Sequence, residues 1–172
     1  SQSSFVFRGK DLEILMMRFP VLTLLVVLMS CSSTPSVDSA PDSWQLPLLN
    51  GGSTSLSALT QGGKNAVVVF WQPWCGSCIA EMPDLVEAAT RYKGQLSFIG
   101  VVSGPNDSVD EALIREIEFQ QHLNYGTARD RELSLTRSFG VKATPSIYVL
   151  DAAGQVLYFG HEAPSNWANL LP

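Results

Sequence analysis

The apolar positions of the chain gather into runs with different periods. "NAVVVFW", residues 65–71, and "LSFIGVVS", residues 96–103, are near-continuous apolar stretches rich in β-branched side chains. Runs of this kind suit strands buried on both faces, as in a parallel or mixed sheet. Between them a helix is predicted from about Cys75 to about Tyr92. Pro83 lies inside it and is expected to kink it, because proline lacks an N–H and clashes with the carbonyl of Ile79. "SVDE", residues 108–111, reads as a capping box opening a helix to about His122. Leu113, Ile117 and Gln121 share one face of that helix, with Ile114 beside them. "YGTARD" reads as a short strand, and Asp130 suits the cap of a helix ending at Gly140. "SIYVL", "DAAG" and "QVLYFG" form a strand–turn–strand hairpin, with Asp151 and Gly154 at the outer positions of a type I turn. A short C-terminal helix is expected from Ser165 to Leu171, packed loosely. Upstream, "WQLPLLNGGSTSLSAL" reads as a strand, a Gly-Gly turn and a helical turn. No internal repeat is visible. Strands alternating with helices and closed by a hairpin predict a three-layer α/β/α sandwich with a mixed central sheet.

The N-terminal region has a different pattern. Residues 19–29, "FPVLTLLVVLM", are an uncharged apolar run. It is short beside the roughly 20 residues that span a bilayer. It has the length of a signal-peptide core, with Arg18 as the preceding positive charge. "LMSC", residues 28–31, follows, and it resembles a bacterial lipoprotein signal, which makes Cys31 the lipidated residue. An ordinary secretory signal and a buried helix are the alternatives. Residues 31–43, rich in Ser, Pro and Asp, are expected to be a flexible tether. Residues 1–16 precede a signal that Met17 would start unaided, and are read as an over-translated or nonstandard extension. Residues 17–30 are then the signal and residues 44–172 the folded domain.

Composition narrows the function classes. Apolar residues make up 45% of the 172, which fits a globular chain. The net charge is −5 and no Lys/Arg cluster occurs, so nucleic-acid binding has no footprint here.

The candidate chemistry lies in "FWQPWCGSC", residues 70–78. Cys75 and Cys78 follow a buried strand and open a helix. A helix N-terminus offers free N–H groups and partial positive charge, both of which stabilise a thiolate. Cys75 is therefore expected to have a depressed pKa and to attack, with Cys78 one turn on to resolve the mixed disulfide. Three other readings fit the residues less well. A structural zinc site needs four ligands, and outside this pair only Cys31, His122 and His161 remain; both histidines read better as surface or loop residues. A structural bridge would close too small a loop to remove much unfolded-state entropy. Peroxidatic cysteines sit in P-x-x-x-T-x-x-C, but the matching positions are Val68 and Gln72 before Cys75, and Trp71 and Cys75 before Cys78. No metal and no cofactor beyond the cysteine pair is expected.

In combination, "FWQPWCGSC", "EMPDL" and "VKATPSIYVLDAAG" resemble the thioredoxin-fold proteins of the TlpA/ResA type, membrane-tethered thiol–disulfide oxidoreductases of bacteria. The resemblance covers about residues 44–167. It implies a thioredoxin fold with a helix–strand insertion at about residues 109–130. It gives Cys75 the nucleophile role and Cys78 the resolving role. It makes Pro145 a cis-proline beside the disulfide, with the Thr144 backbone free to pair with an extended substrate. Thioredoxin's buried acid is replaced here by Val69. Glu81 matches instead a glutamate thought to handle protons near the resolving cysteine. Trp74, Gly76 and Ser77 are expected at the docking surface, and Trp71 in the core.

The resemblance implies an envelope protein, lipid-anchored on the periplasmic side through Cys31, reducing disulfides in exported proteins, apocytochrome c among them. Its electrons would come from a membrane thiol-transfer protein of the CcdA/DsbD type, and a monomer is expected. A disulfide oxidant or isomerase is the second enzyme reading. A redox-inert binding module is the third.

Overall fold

The computed structural model describes Ala40 and residues 43–172. The segments expected to be an extension and a signal, and Cys31, the expected lipidation site, lie outside the described residues. The sheet is built first from the two apolar runs. β3 (Asn65–Trp71) and β4 (Leu96–Ser103) pair in parallel, with Trp71 opposite Val102. Every residue of β3 is buried, as a central strand with helices on both faces requires. Burying a valine there contributes about 1.5–3 kcal/mol. A two-strand hairpin, β1 (Leu46–Pro47) and β2 (Ser53–Thr54), and the short helix α1 (Leu56–Leu59) come before β3.

β5 (Gly126–Asp130) adds in parallel beside β4. β6 (Ser146–Leu150) pairs antiparallel with β3, and β7 (Val156–Gly160) antiparallel with β6. The five-stranded mixed sheet has the order β5-β4-β3-β6-β7. Alternate residues of β3 feed opposite faces. Val67 and Val69 pack on Leu85 and Ala88 of α2 (Gly76–Arg91). Ala66, Val68 and Phe70 pack on Leu135 and Phe139, in and just after α4 (Ser134–Ser138). Ile114 and Ile117 of α3 (Glu111–Gln120) close the core over Trp71 and Met82. This is the three-layer sandwich of the thioredoxin fold, and α3 with β5 is the helix–strand insertion.

α2 runs through Pro83 without a break. Four local expectations are corrected. Asp110, not Ser108, caps α3 by accepting from Ala112 N–H at 2.8 Å. Ser108 is engaged elsewhere, its hydroxyl donating to the Pro105 carbonyl at 3.0 Å. Ile114 and Ile117 face inward while Leu113 is exposed, because α3 buries the side that meets Trp71. The C-terminal helix is a 3-10 turn (Trp167–Leu170), and it is packed: Trp167 meets Phe98 with ring centres 5.5 Å apart, and Asn65 donates to the Leu170 carbonyl. Finally, Ala40 falls in the segment expected to be tether but is buried, its N–H donating to the Gly154 carbonyl at 2.7 Å.

Candidate active site

The C-terminal ends of β3, β4 and β5 and the start of β6 meet at one end of the sheet, a common place for a site in an α/β fold. After β3 the chain turns through Pro73 and Trp74, and Cys75 N–H donates to the Gln72 carbonyl at 3.0 Å. Cys75 is thereby the N-cap of α2, with extended backbone and its sulfur accepting from Cys78 N–H at 3.2 Å. A disulfide joins Cys75 to Cys78, with an S–S distance of 2.07 Å and Cα atoms 5.2 Å apart. The two sulfurs are not equivalent. Cys78 is 2% exposed and packs against Met82 and Trp71, whereas Cys75 is half-buried. The Ser77 hydroxyl lies 3.5 Å from the Cys75 sulfur. Ser77 and Gly76 are exposed, and Trp74 is 61% exposed, while Trp71 is 1% exposed.

Across the site the Thr144–Pro145 peptide is cis, the conformation that the resemblance implies. The Ser146 hydroxyl donates to the Ala143 carbonyl at 2.8 Å and holds the loop before Pro145. The Thr144 carbonyl oxygen is 3.5 Å from the Cys75 sulfur. Beside Thr144 opens a cleft of about 260 Å³, lined in part by Gln72, Ser103, Thr136 and Lys142. Gln72 Nε2 donates to the Ser103 carbonyl at 2.9 Å, tying the turn before Cys75 to the end of β4. The Ser103 and Thr136 hydroxyls are 2.6 Å apart, and Thr136 donates onward to the buried Asp130.

Val69, at the position where the resemblance implies an acid in thioredoxin, is buried. Glu81 sits one helical turn beyond Cys78 on α2, half-buried, and its carboxylate accepts from Ala163 N–H at 2.7 Å. The Tyr158 phenol, tied to Glu162, is pushed up from its ordinary pKa by burial first and then by the charges of Glu162 and Glu81. Among the described residues, no group of three or more His, Cys, Asp or Glu side chains is placed to share a metal ion.

Sequence reasoning missed His161. It reads as a loop residue, yet its Nδ1 is 2.6 Å from the Pro145 carbonyl oxygen. The signal was the hairpin register: with Ile147 opposite Gly160, residue 161 falls beside Pro145 and Ser146. Gln72 was likewise missed as a tie, and nothing local marks it.

The comparisons agree with this geometry. A family model described as Redoxin matches residues 35–170. The thiol–disulfide oxidoreductase YkuV of Bacillus subtilis is 29% identical over 112 residues, 64% of this chain and 74% of that protein. The thiol–disulfide oxidoreductase ResA of Bacillus cereus is 27% identical over 95 residues, 55% of this chain; the match spans about half of ResA, 53%. A crystal structure of a secreted Mycobacterium tuberculosis disulfide oxidoreductase, homologous to E. coli DsbE, shares the fold. Its TM-score is 0.59 at 24% identity, over 71% of this chain and 84% of that one. The chain belongs to the redoxin family and carries a thioredoxin-fold thiol–disulfide oxidoreductase domain of the TlpA/ResA-like type.

Proposed function

We propose that the protein is an envelope thiol–disulfide reductase that acts on disulfides of exported proteins. The observation that carries this is the asymmetry of the pair: a half-buried Cys75 sulfur at a helix N-terminus, against the cis-Pro145 loop, with Cys78 enclosed behind it. In the reduced protein the Cys75 thiolate attacks one sulfur of a substrate disulfide. A Cys75–substrate disulfide forms, and the other substrate sulfur leaves and takes up a proton. Cys78 then gives up its proton, with Glu81 as the carboxylate one turn away, and attacks the Cys75 sulfur. The Cys75–Cys78 disulfide forms and the second substrate thiol departs. Two electrons pass to the substrate; Cys78 supplies one of the two protons and solvent the other. The pair is itself the redox group, and no other cofactor takes part.

The protein works as a monomer, held to the membrane by lipid on Cys31 and recharged by a membrane thiol-transfer protein of the CcdA/DsbD type. The secreted mycobacterial relative supports an extracytoplasmic place. Among the described residues no helix is long and apolar enough to cross a membrane. Apocytochrome c is the substrate that the ResA resemblance favours. Trapping with Cys78→Ser tests the reading: exported cysteine-containing proteins should be held on Cys75 as mixed disulfides. Recovery of none, or insulin reduction that survives Cys75→Ser, overturns it.

One observation favours the oxidant reading. Cys78 N–H and the Ser77 hydroxyl both face the Cys75 sulfur, and donors to a thiolate stabilise the reduced state. Equilibrium with glutathione separates the two. A potential near the oxidising end of the thioredoxin-fold range selects the oxidant.

A further inference from the structure

The loop after β7 touches both walls of the disulfide site. His161 Nδ1 lies 2.6 Å from the carbonyl oxygen of Pro145. A carbonyl only accepts, so Nδ1 carries the hydrogen and donates it. One residue on, the Glu162 carbonyl accepts from the Tyr158 hydroxyl at 2.9 Å, which folds the loop back on its own strand. The Ala163 N–H donates to Glu81 Oε2 at 2.7 Å. Residues 161–163 are therefore bonded at one end to the loop that bears cis-Pro145. At the other end they are bonded to the helix that carries Cys75 and Cys78, one turn past Cys78.

The His161 contact does not serve the core. His161 is exposed, and its ring packs at a steep angle on Phe159, centre to centre 5.4 Å, which is itself 51% exposed. A side chain that crosses a solvent-facing surface to bind a backbone carbonyl stabilises little by burial. What it fixes is position. Thr144, next to the clasped Pro145, presents its carbonyl 3.5 Å from the Cys75 sulfur. A change in the Pro145 loop therefore alters the slot between that carbonyl and the sulfur.

We propose that His161 is a positioning residue: with Glu81 it clasps the cis-Pro145 loop to α2 and sets the slot in which a protein disulfide lies against Cys75. The proposal rests on the exchange reading above only in taking a protein disulfide as the substrate. A small disulfide needs the Cys75 sulfur but not the slot, so the clasp favours protein disulfides over small ones.

The test runs in the Cys78→Ser background, where a mixed disulfide with Cys75 is the endpoint and the net direction of electron flow does not enter. Two probes are compared, insulin and 5,5′-dithiobis(2-nitrobenzoate). His161→Leu should slow capture of insulin about tenfold, the effect of roughly one net hydrogen bond, and leave the small probe within about twofold. His161→Asn places an amide N–H where Nδ1–H was and should restore insulin capture to within about threefold. Equal slowing with both probes, no slowing with either, or an Asn variant no better than Leu overturns the clasp. A second measurement needs no variant to fold. Nitrogen NMR of the wild type should show the Nδ1–H tautomer at His161, and an Nε2–H tautomer overturns the clasp outright. Failure of the intact pair to turn over insulin would remove the reductase reading, while these ratios and the tautomer still decide the clasp.

Discussion

The backbone N–H of Cys78 points at the sulfur of Cys75 from 3.2 Å. Once the disulfide is reduced, the same N–H and the first turn of α2 face whichever form the sulfur takes, and they favour the thiolate. Cys78 lies inside, 2% exposed, against Met82 and Trp71. Iodoacetamide at about pH 6 should therefore alkylate Cys75 at least about tenfold faster than Cys78 in the reduced protein. Peptide mass spectrometry over a time course measures this. Equal labelling, or Cys78 first, would take the nucleophile role from Cys75.

Ser77 adds a second donor to the same sulfur, at 3.5 Å. Ser77→Ala removes it, destabilises the thiolate and with it the reduced state. The potential should become more negative by about 10–30 mV, the range of one weak hydrogen bond in a two-electron couple. Glutathione equilibration reads the shift. A move toward positive potential would mean that the hydroxyl does not stabilise the thiolate.

Arg129 is buried in β5, where its guanidinium donates to the carbonyls of Val102 and Gly104 at 2.6 and 2.8 Å. Glu111 lies 3.4 Å away and also binds Arg131. Arg129→Ala strips two carbonyls of their partner and leaves a cavity, so it should cost about 3–5 kcal/mol. Urea unfolding checks this. A loss below about 1 kcal/mol would show that the end of β4 does not depend on this side chain.

Arg129 also marks the limit of what the sequence conveys. β3 and β4 are apolar over nearly their whole length, so their burial on both faces is legible residue by residue. The Cys75–Cys78 pair is legible because a strand end and a helix start leave only one place for it. The Asp151–Gly154 turn is legible because Gly154 takes a positive φ of 81°, which a glycine accepts without cost. "GTARD" reads as a strand, and is one, but its burial is not legible, because the carbonyls that solvate Arg129 come from β4 and the loop after it. Ser108 loses the α3 cap to Asp110 because Ser108 is held in the turn that starts at Pro105, two residues before the position from which the helix starts. The bond from His161 to Pro145 depends on hairpin register, not on anything adjacent in the chain.

Burial raises the pKa of three tyrosines, Tyr125, Tyr148 and Tyr158. A raised folded pKa means that the unfolded chain ionises first, near pH 10, while the folded chain still holds its protons. Above that pH the unfolded state binds fewer protons and stability falls as pH rises; below it this contribution is complete. The urea midpoint should be flat from about pH 8 to 9.5 and drop above about 10. Tyr148→Phe should soften the drop and also lower the plateau, since the phenol donates to the Phe139 carbonyl at 2.8 Å. A midpoint that holds level past about pH 11 would contradict the direction of all three shifts.

Glu81 is assigned two tasks, and they separate by substitution. As a base near Cys78 it needs a carboxylate. As an anchor for Ala163 N–H it needs only an oxygen at 2.7 Å. Glu81→Gln keeps the oxygen and removes the base. Glu81→Leu removes both. In the intact pair, Gln should slow release of substrate from the mixed disulfide by about tenfold or more and flatten its pH profile. In the Cys78→Ser background, where no release occurs, Gln should keep the insulin-to-small-probe ratio of the parent, and Leu should lower that ratio as His161→Leu does. The double variant His161→Leu/Glu81→Leu should lose little beyond either single one, because cutting either end opens the same clasp. Additive losses would mean that the two residues act apart. A Gln variant with unchanged release and an unchanged profile would leave Glu81 as an anchor alone and return the Cys78 proton to solvent.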